Sequence, residues 1–212
     1  MRPPDYQGVL LDLDGTLIDA FQPIIAAMRQ TLAEFGLEPM SDEAIKRHTG
    51  RGDCSMTALF GEQKDAAVKR FIEIHDLTYL QDIEIMPGAE DLLEYLLQLG
   101  IPTAVVTSKG QHRAEAQIQA LGWQKYFTTI VGKLDGRASK PNPEPLLIAC
   151  DAMVCSAEQA LMIGDGEADM KAAARAGCFG VGLTYSFSED ELKESGANIC
   201  FHSLNDVLEW LK

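Results

Sequence analysis

Basic residues are scarce in this chain. Its 212 residues include 18 Lys and Arg against 32 Asp and Glu, a net charge of −14 with the four His neutral. Clustered Lys and Arg are what bind a phosphate backbone, so nucleic acid is excluded as a main partner. An anionic membrane surface is excluded on the same ground. Long hydrophobic runs are missing too: Val9-Leu10-Leu11 stops at Asp12, far short of the roughly 20 apolar residues of a membrane span. The first residues, with Pro3, Pro4 and Asp5, lack the basic and apolar regions of a signal peptide. Close cysteine pairs are absent as well. The five cysteines, Cys54, Cys150, Cys155, Cys178 and Cys200, are odd in number and form no Cys-x-x-Cys, which excludes a disulfide framework or zinc knuckle. No activating group can be placed beside any of them, so they read as reduced core or surface residues. What remains is an acidic, soluble, cytoplasmic protein, monomer or homodimer. At 46% hydrophobic and 24% charged residues it is globular, one domain or a core with a smaller insertion.

Strands and helices alternate through most of the chain. Gly8-Val9-Leu10-Leu11 and Thr103 to Thr107 read as buried strands, as do Ala160 to Ile163 and Phe179 to Leu183. Between them, Leu92, Leu93, Leu96, Leu97 and Leu99 follow helical spacing until Gly100 and Pro102. Pro145 to Met153, Asp169 to Ala176 and Ser203 to Leu211 read as further helices. This alternation predicts an α/β fold, a Rossmann-like, doubly wound, mainly parallel sheet. One stretch interrupts it. Residues 19–82 hold helical segments, Ile24 to Phe35 and Asp65 to Leu80, and no convincing strand. They predict an inserted all-helical cap, 19–82, on a core of 1–18 and 83–212.

Ligands of open α/β sheets bind outside the carboxyl ends of the strands, so each end is a place to look for chemistry. The first strand ends in Asp12-Leu13-Asp14-Gly15-Thr16 and the second in Thr107-Ser108-Lys109. Ser139-Lys140-Pro141 precedes a helix, and the next strand runs into Gly164-Asp165-Gly166-Glu167-Ala168-Asp169. In a strand, residues two apart share a side, so Asp12 and Asp14 can face one site, where their charges repel unless a cation or a proton intervenes. Each group has a plain structural reading when taken alone. Asp-Gly is a common turn, Asp165 could cap a helix, and a lysine is usually solvated. Together, Asp12, Asp14 and Asp165 form a hard-oxygen cluster suited to Mg²⁺. Adding the hydroxyls of Thr107 and Ser108 and the ammonium of Lys140 supplies the parts for phosphoryl transfer through an aspartyl-phosphate.

These residues resemble the four motifs of the haloacid dehalogenase superfamily, in its phosphatase branch. Asp12-Leu13-Asp14-Gly15-Thr16-Leu17 is similar to the first motif, Thr107 to the second, Lys140 to the third and Gly164-Asp165 through Asp169 to the fourth. The helical insertion is similar to the family's cap, and phosphoglycolate phosphatases are the nearest likeness. The resemblance implies that Asp12 attacks phosphorus, that Asp14 protonates the leaving oxygen and then deprotonates water, and that Thr107 and Lys140 hold the phosphate. It also implies that Asp12, the backbone carbonyl of Asp14, and Asp165 hold Mg²⁺, with Asp169 orienting a metal-bound water. Gly166 departs from the pattern, since many relatives carry Ser or Thr there.

The resemblance leaves other activities of the same fold open: a phosphosugar mutase of the β-phosphoglucomutase kind, a pyrophosphatase or a nucleotidase. A signalling receiver domain gathers similar residues, but Asp14 and the insertion count against it. A haloacid dehalogenase proper has no use for an acid–base group at Asp14. In the cap, Thr49-Gly50-Arg51-Gly52 reads as a turn between helices, from which Arg51 either reaches the substrate or stays on the surface. The cap has 11 acids against 7 basic residues, so it is no basic lid for a polyanion. The expected substrate is a small phosphorylated metabolite.

Overall fold

The computed structural model describes residues 3–51 and 58–212. The chain opens with β1 (Gly8–Leu11) and the short β2 (Ile18–Asp19), then turns helical as α1 (Phe21–Glu34), α2 (Asp42–Gly50) and α3 (Lys64–Asp76). After β3 (Glu84–Ile85) it alternates: α4 (Ala89–Gln98), β4 (Thr103–Gly110), α5 (Gln111–Ala120), β5 (Thr129–Lys133), α6 (Glu144–Met153), β6 (Ala160–Gly164), α7 (Glu167–Ala176). It closes with β7 (Phe179–Leu183), α8 (Glu189–Glu194), β8 (Ile199–Phe201) and α9 (Leu204–Leu211).

Six strands form one sheet in the order β5-β4-β1-β6-β7-β8, every pair parallel. A strand buried on both faces needs apolar residues at consecutive positions, and β1 has them. Val9 and Leu11 pack into one layer, where Leu92 and Leu96 of α4, Ile118 of α5 and Val207 of α9 meet the sheet. Leu10 packs into the opposite layer, against Leu146 and Ala149 of α6 and Ala172 of α7. This is the doubly wound core expected from the alternation. The chain leaves β1 toward β4 and β5 on one side and returns to β6, β7 and β8 on the other. The switch point therefore lies at β1, and the crevice opens beyond its carboxyl end.

The helical segment has its own buried cluster. Phe21, Ile24, Ile25, Met28 and Leu32 of α1 close on Ile45 of α2, on Ala67 of α3 and on Phe60, which precedes α3. Where this segment meets the core, β2 and β3 pair antiparallel, Ile18 opposite Ile85 and Asp19 opposite Glu84.

Several details differ from the sequence reading. β5, α5, α8 and β8 have patterns too short or too polar to stand out. Helix α3 ends at Asp76, so Leu77 and Leu80, expected on its apolar face, are exposed. Thr49 and Gly50 form the last turn of α2 rather than a loop, with Arg51 as C-cap, while Gly52 lies outside the described residues. Cys150 and Cys178 are buried and Cys155 and Cys200 half-buried, all four as free thiols; Cys54 lies outside the described residues. Among the described residues no helix is long and apolar enough to cross a membrane.

Candidate active site

The end of β1 is continued by a hydrogen bond from the Asp12 N–H to the Ile163 carbonyl (3.0 Å), so the chain stays extended into the crevice. It then turns sharply at Gly15, with φ +86°. A β-carbon there would lie 2.7 Å from an Asp165 carboxylate oxygen. At the end of β6, a β-carbon on Gly164 would lie 2.3 Å from Asp169 Oδ2. Both glycines leave the volume that the carboxylates occupy.

Three carboxylates converge there. One oxygen each of Asp12, Asp165 and Asp169 lie within 4.8 Å of one another, the latter two residues being buried. Asp165 accepts from Ser186 Oγ (2.7 Å) and, more weakly, from Thr16 Oγ1 (3.4 Å). It is not the N-cap of α7. That position belongs to Gly166, whose N–H donates to Asp169 Oδ2 (3.0 Å). Lys140 is buried and reaches across the group, with Nζ 2.8 Å from Asp12 Oδ1, 2.6 Å from Asp169 Oδ1 and 2.6 Å from the Val106 carbonyl. Burial disfavours its ammonium, yet the Asp12 and Asp169 charges outweigh this and hold it above the ordinary lysine value.

One ammonium does not balance three carboxylates, two of them buried. Burial, then repulsion from Asp12 and Asp169, pushes the Asp165 carboxyl up to about 8. Asp169 is raised by burial and by Asp12. A cluster of hard oxygens that is under-neutralised at pH 7 fits a divalent cation, which removes the repulsion without taking up protons.

Asp14 sits apart from that cluster. Its carboxylate meets Lys109 Nζ at 2.8 Å. The same ammonium donates to Gln117 Oε1 (2.7 Å), and Gln117 Nε2 donates to the Tyr79 carbonyl (2.7 Å) just before the chain re-enters the core. Burial pushes the Asp14 carboxyl up and Lys109 pulls it only part of the way back. Lys109 belongs to a strand end singled out in the sequence, but its partners, 95 and 8 residues away, could not be read there. Thr107 is buried, and its Oγ1 accepts from the Lys109 N–H (3.1 Å); Ser108 is half-buried. Ser186, beside Asp165, left no signal in the sequence.

Asp12, Asp14, Thr107, Ser108, Lys140, Asp165 and Asp169 all line one cavity of about 170 Å³ between the sheet edge and the helical segment. Arg51 does not line it. Its Nε binds Glu167 Oε1 (3.1 Å), its guanidinium lies 5.7 Å from the Phe187 ring, and Glu167 is also held by Lys171 (2.6 Å). Arg47 docks beside it on the Ser186 carbonyl (3.0 Å) and on Glu191. The two arginines hold α2 against α7 and α8.

The fold is a doubly wound α/β sheet with a carboxylate-lined cavity at its switch point. A family model described as haloacid dehalogenase-like hydrolase matches residues 9–182. A phosphoglycolate phosphatase of Rhodospirillum rubrum is 31% identical over 97% of this chain and 90% of its own length, and that of Escherichia coli K12 is 30% identical over 96% and 92%. A predicted phosphatase of Clostridium acetobutylicum superposes with a TM-score of 0.88 at 27% identity, covering 96% of this chain and 97% of that one. The chain belongs to the haloacid dehalogenase-like hydrolases. Within them it is a phosphoric monoester hydrolase.

Proposed function

We propose that the protein is a Mg²⁺-dependent phosphatase that hydrolyses a small phosphate monoester through an aspartyl-phosphate, with 1–18 and 83–212 as catalytic core and 19–82 as cap. The observation that carries this reading is the convergence of Asp12, Asp165 and Asp169 around Lys140, with Asp14 in the same cavity but on a separate lysine. Phosphoglycolate, the substrate in the relatives' names, is the first ester to assay.

In the first half-reaction an Asp12 oxygen forms a bond to phosphorus as the ester P–O bond breaks. Asp14, which its buried setting disposes to keep a proton, gives that proton to the leaving oxygen. In the second, Asp14 takes a proton from water as the water oxygen attacks phosphorus, and the bond to Asp12 breaks to release phosphate. Lys140 and Thr107 hold the non-bridging oxygens while the charge moves. Asp12, Asp165, Asp169 and the Asp14 carbonyl would hold Mg²⁺, whose charge lets a phosphate dianion approach carboxylates.

Asp12→Asn keeps the shape and removes the nucleophile. Phosphate release should fall at least about 10³-fold while the fold survives. Mg²⁺ should stabilise the wild type by about 2.7 kcal/mol at a hundred times its dissociation constant, seen as a raised melting temperature, and should not stabilise Asp165→Asn. Substantial turnover by Asp12→Asn, or phosphoryl transfer to glucose 1-phosphate in place of water, overturns the reading.

A further inference from the structure

The helical segment forms one wall of the cavity, and its contribution is apolar. Phe21, Ile24, Phe60, Val68, Phe71 and Ile72 face the space above the carboxylates. The other described residues of that wall are Thr49 and His75. His75 is buried against Phe71 and Tyr79, with ring centroids at 5.6 and 6.4 Å, and burial together with Lys109 and Arg113 keeps it neutral. Among the described residues this wall offers no cation to a ligand.

Three of the four cations on the core wall are held by carboxylates. Lys140 holds Asp12 and Asp169, Lys109 holds Asp14, and Arg113 Nη1 holds Asp76 Oδ1 at 2.8 Å. Lys133 completes the core side. Arg51, the cation of the helical segment considered for a substrate contact, is turned onto Glu167. A leaving group bearing a carboxylate and lying along the helical wall would lose its hydration against aromatic and branched side chains that bring no charge to replace the water. An apolar leaving group gains from the same surroundings.

We propose that the substrate is a phosphate monoester whose leaving alcohol is uncharged and apolar, a branched aliphatic or single-ring group, and not a second anion such as a carboxylate. The inference rests on the phosphatase reading of this same site and assigns the part of the substrate that the cap wall contacts. The phosphoryl group lies over Asp12, and the organic body lies along Phe71 and Ile72.

The test is steady-state phosphate release by the full chain with Mg²⁺, using ethyl, propyl, butyl, isobutyl and benzyl phosphates beside phosphoglycolate. Their leaving alcohols are of similar basicity, so differences report binding of the organic body. Each added methylene should raise kcat/KM roughly fourfold, mainly through KM, until the cavity is full. Benzyl phosphate should exceed phosphoglycolate at least tenfold. Phe71→Ala should flatten the series, and Ile72→Arg, at a partly exposed position, should shift preference toward phosphoglycolate. A flat series, or phosphoglycolate preferred to every uncharged ester, overturns the inference and leaves the phosphatase reading standing. Loss of that preference in Lys133→Ala would mark the core wall as the carboxylate anchor. Acetyl phosphate, activated and with almost no organic body, separates the two readings: if neither it nor any ester is turned over, the phosphatase reading fails as well.

Discussion

Ion pairs at the sheet edge and ion pairs on the helical segment are made of the same residue types in opposite surroundings. Lys109–Asp14 and Lys140–Asp12 lie at 2.8 Å with lysine side chains only 2% exposed. Arg51–Glu167 and Arg70–Glu34 are as well formed, at 3.1 and 2.6 Å, yet their arginines are about 40% exposed. A buried pair has given up its water, so removing one partner strands the other in a poor solvent. Water takes the place of a lost partner at the surface. The number of ion pairs on each side says little about stability; the depth of each pair says most.

The largest break in that comparison is Lys109→Met, which leaves the Asp14 carboxyl buried among apolar atoms. Unfolding free energy should fall by about 3–5 kcal/mol in denaturant titration, and Asp14→Asn in the same chain should restore much of it. Equal stability of Lys109→Met and wild type would mean that depth does not govern the cost.

His75 gives an intermediate and pH-dependent effect. Unfolded, its imidazole titrates near 6.5; folded, burial first, then Lys109 and Arg113, lower that to about 3. Between those values the unfolded chain binds more protons, so the contribution is fully present above pH 6.5 and is lost as pH falls toward 3. His75→Phe should therefore gain on wild type by up to about 3 kcal/mol between pH 7 and pH 4. Parallel pH profiles for the two proteins would rule out a buried neutral imidazole.

Arg51→Ala sharpens the comparison from the other end. Its pair with Glu167 is partly solvated and Glu167 keeps Lys171, so the loss should be about 0.5 kcal/mol or less, with no change in KM. A tenfold rise in KM would return Arg51 to the substrate.

The residues the chain supplies at its strand ends were legible because the parallel sheet forces them to one edge. Asp12, Asp14, Lys140 and Asp165 needed only strand periodicity, loop position and the switch-point rule to be gathered there. Partners chosen by packing were not legible. Arg51 could equally have pointed inward, and only the seating of α2 against α7 turns it to Glu167, 116 residues on. The link from Lys109 through Gln117 to Tyr79 joins three elements whose mutual register no local pattern encodes. β5 was missed because its apolar run is only Ile130-Val131 before Gly132 and Lys133, and β8 because a three-residue strand takes its identity from its neighbour in the sheet.

Gly15 and Gly164 give the molecule an uneven capacity for change. At both positions the space of a β-carbon already belongs to a carboxylate, so neither codon can drift to any other residue without displacing Asp165 or Asp169. Phe71 and Ile72, across the cavity, face no such limit. After a gene duplication the helical wall is free to be rewritten while the sheet edge below it is inherited unaltered.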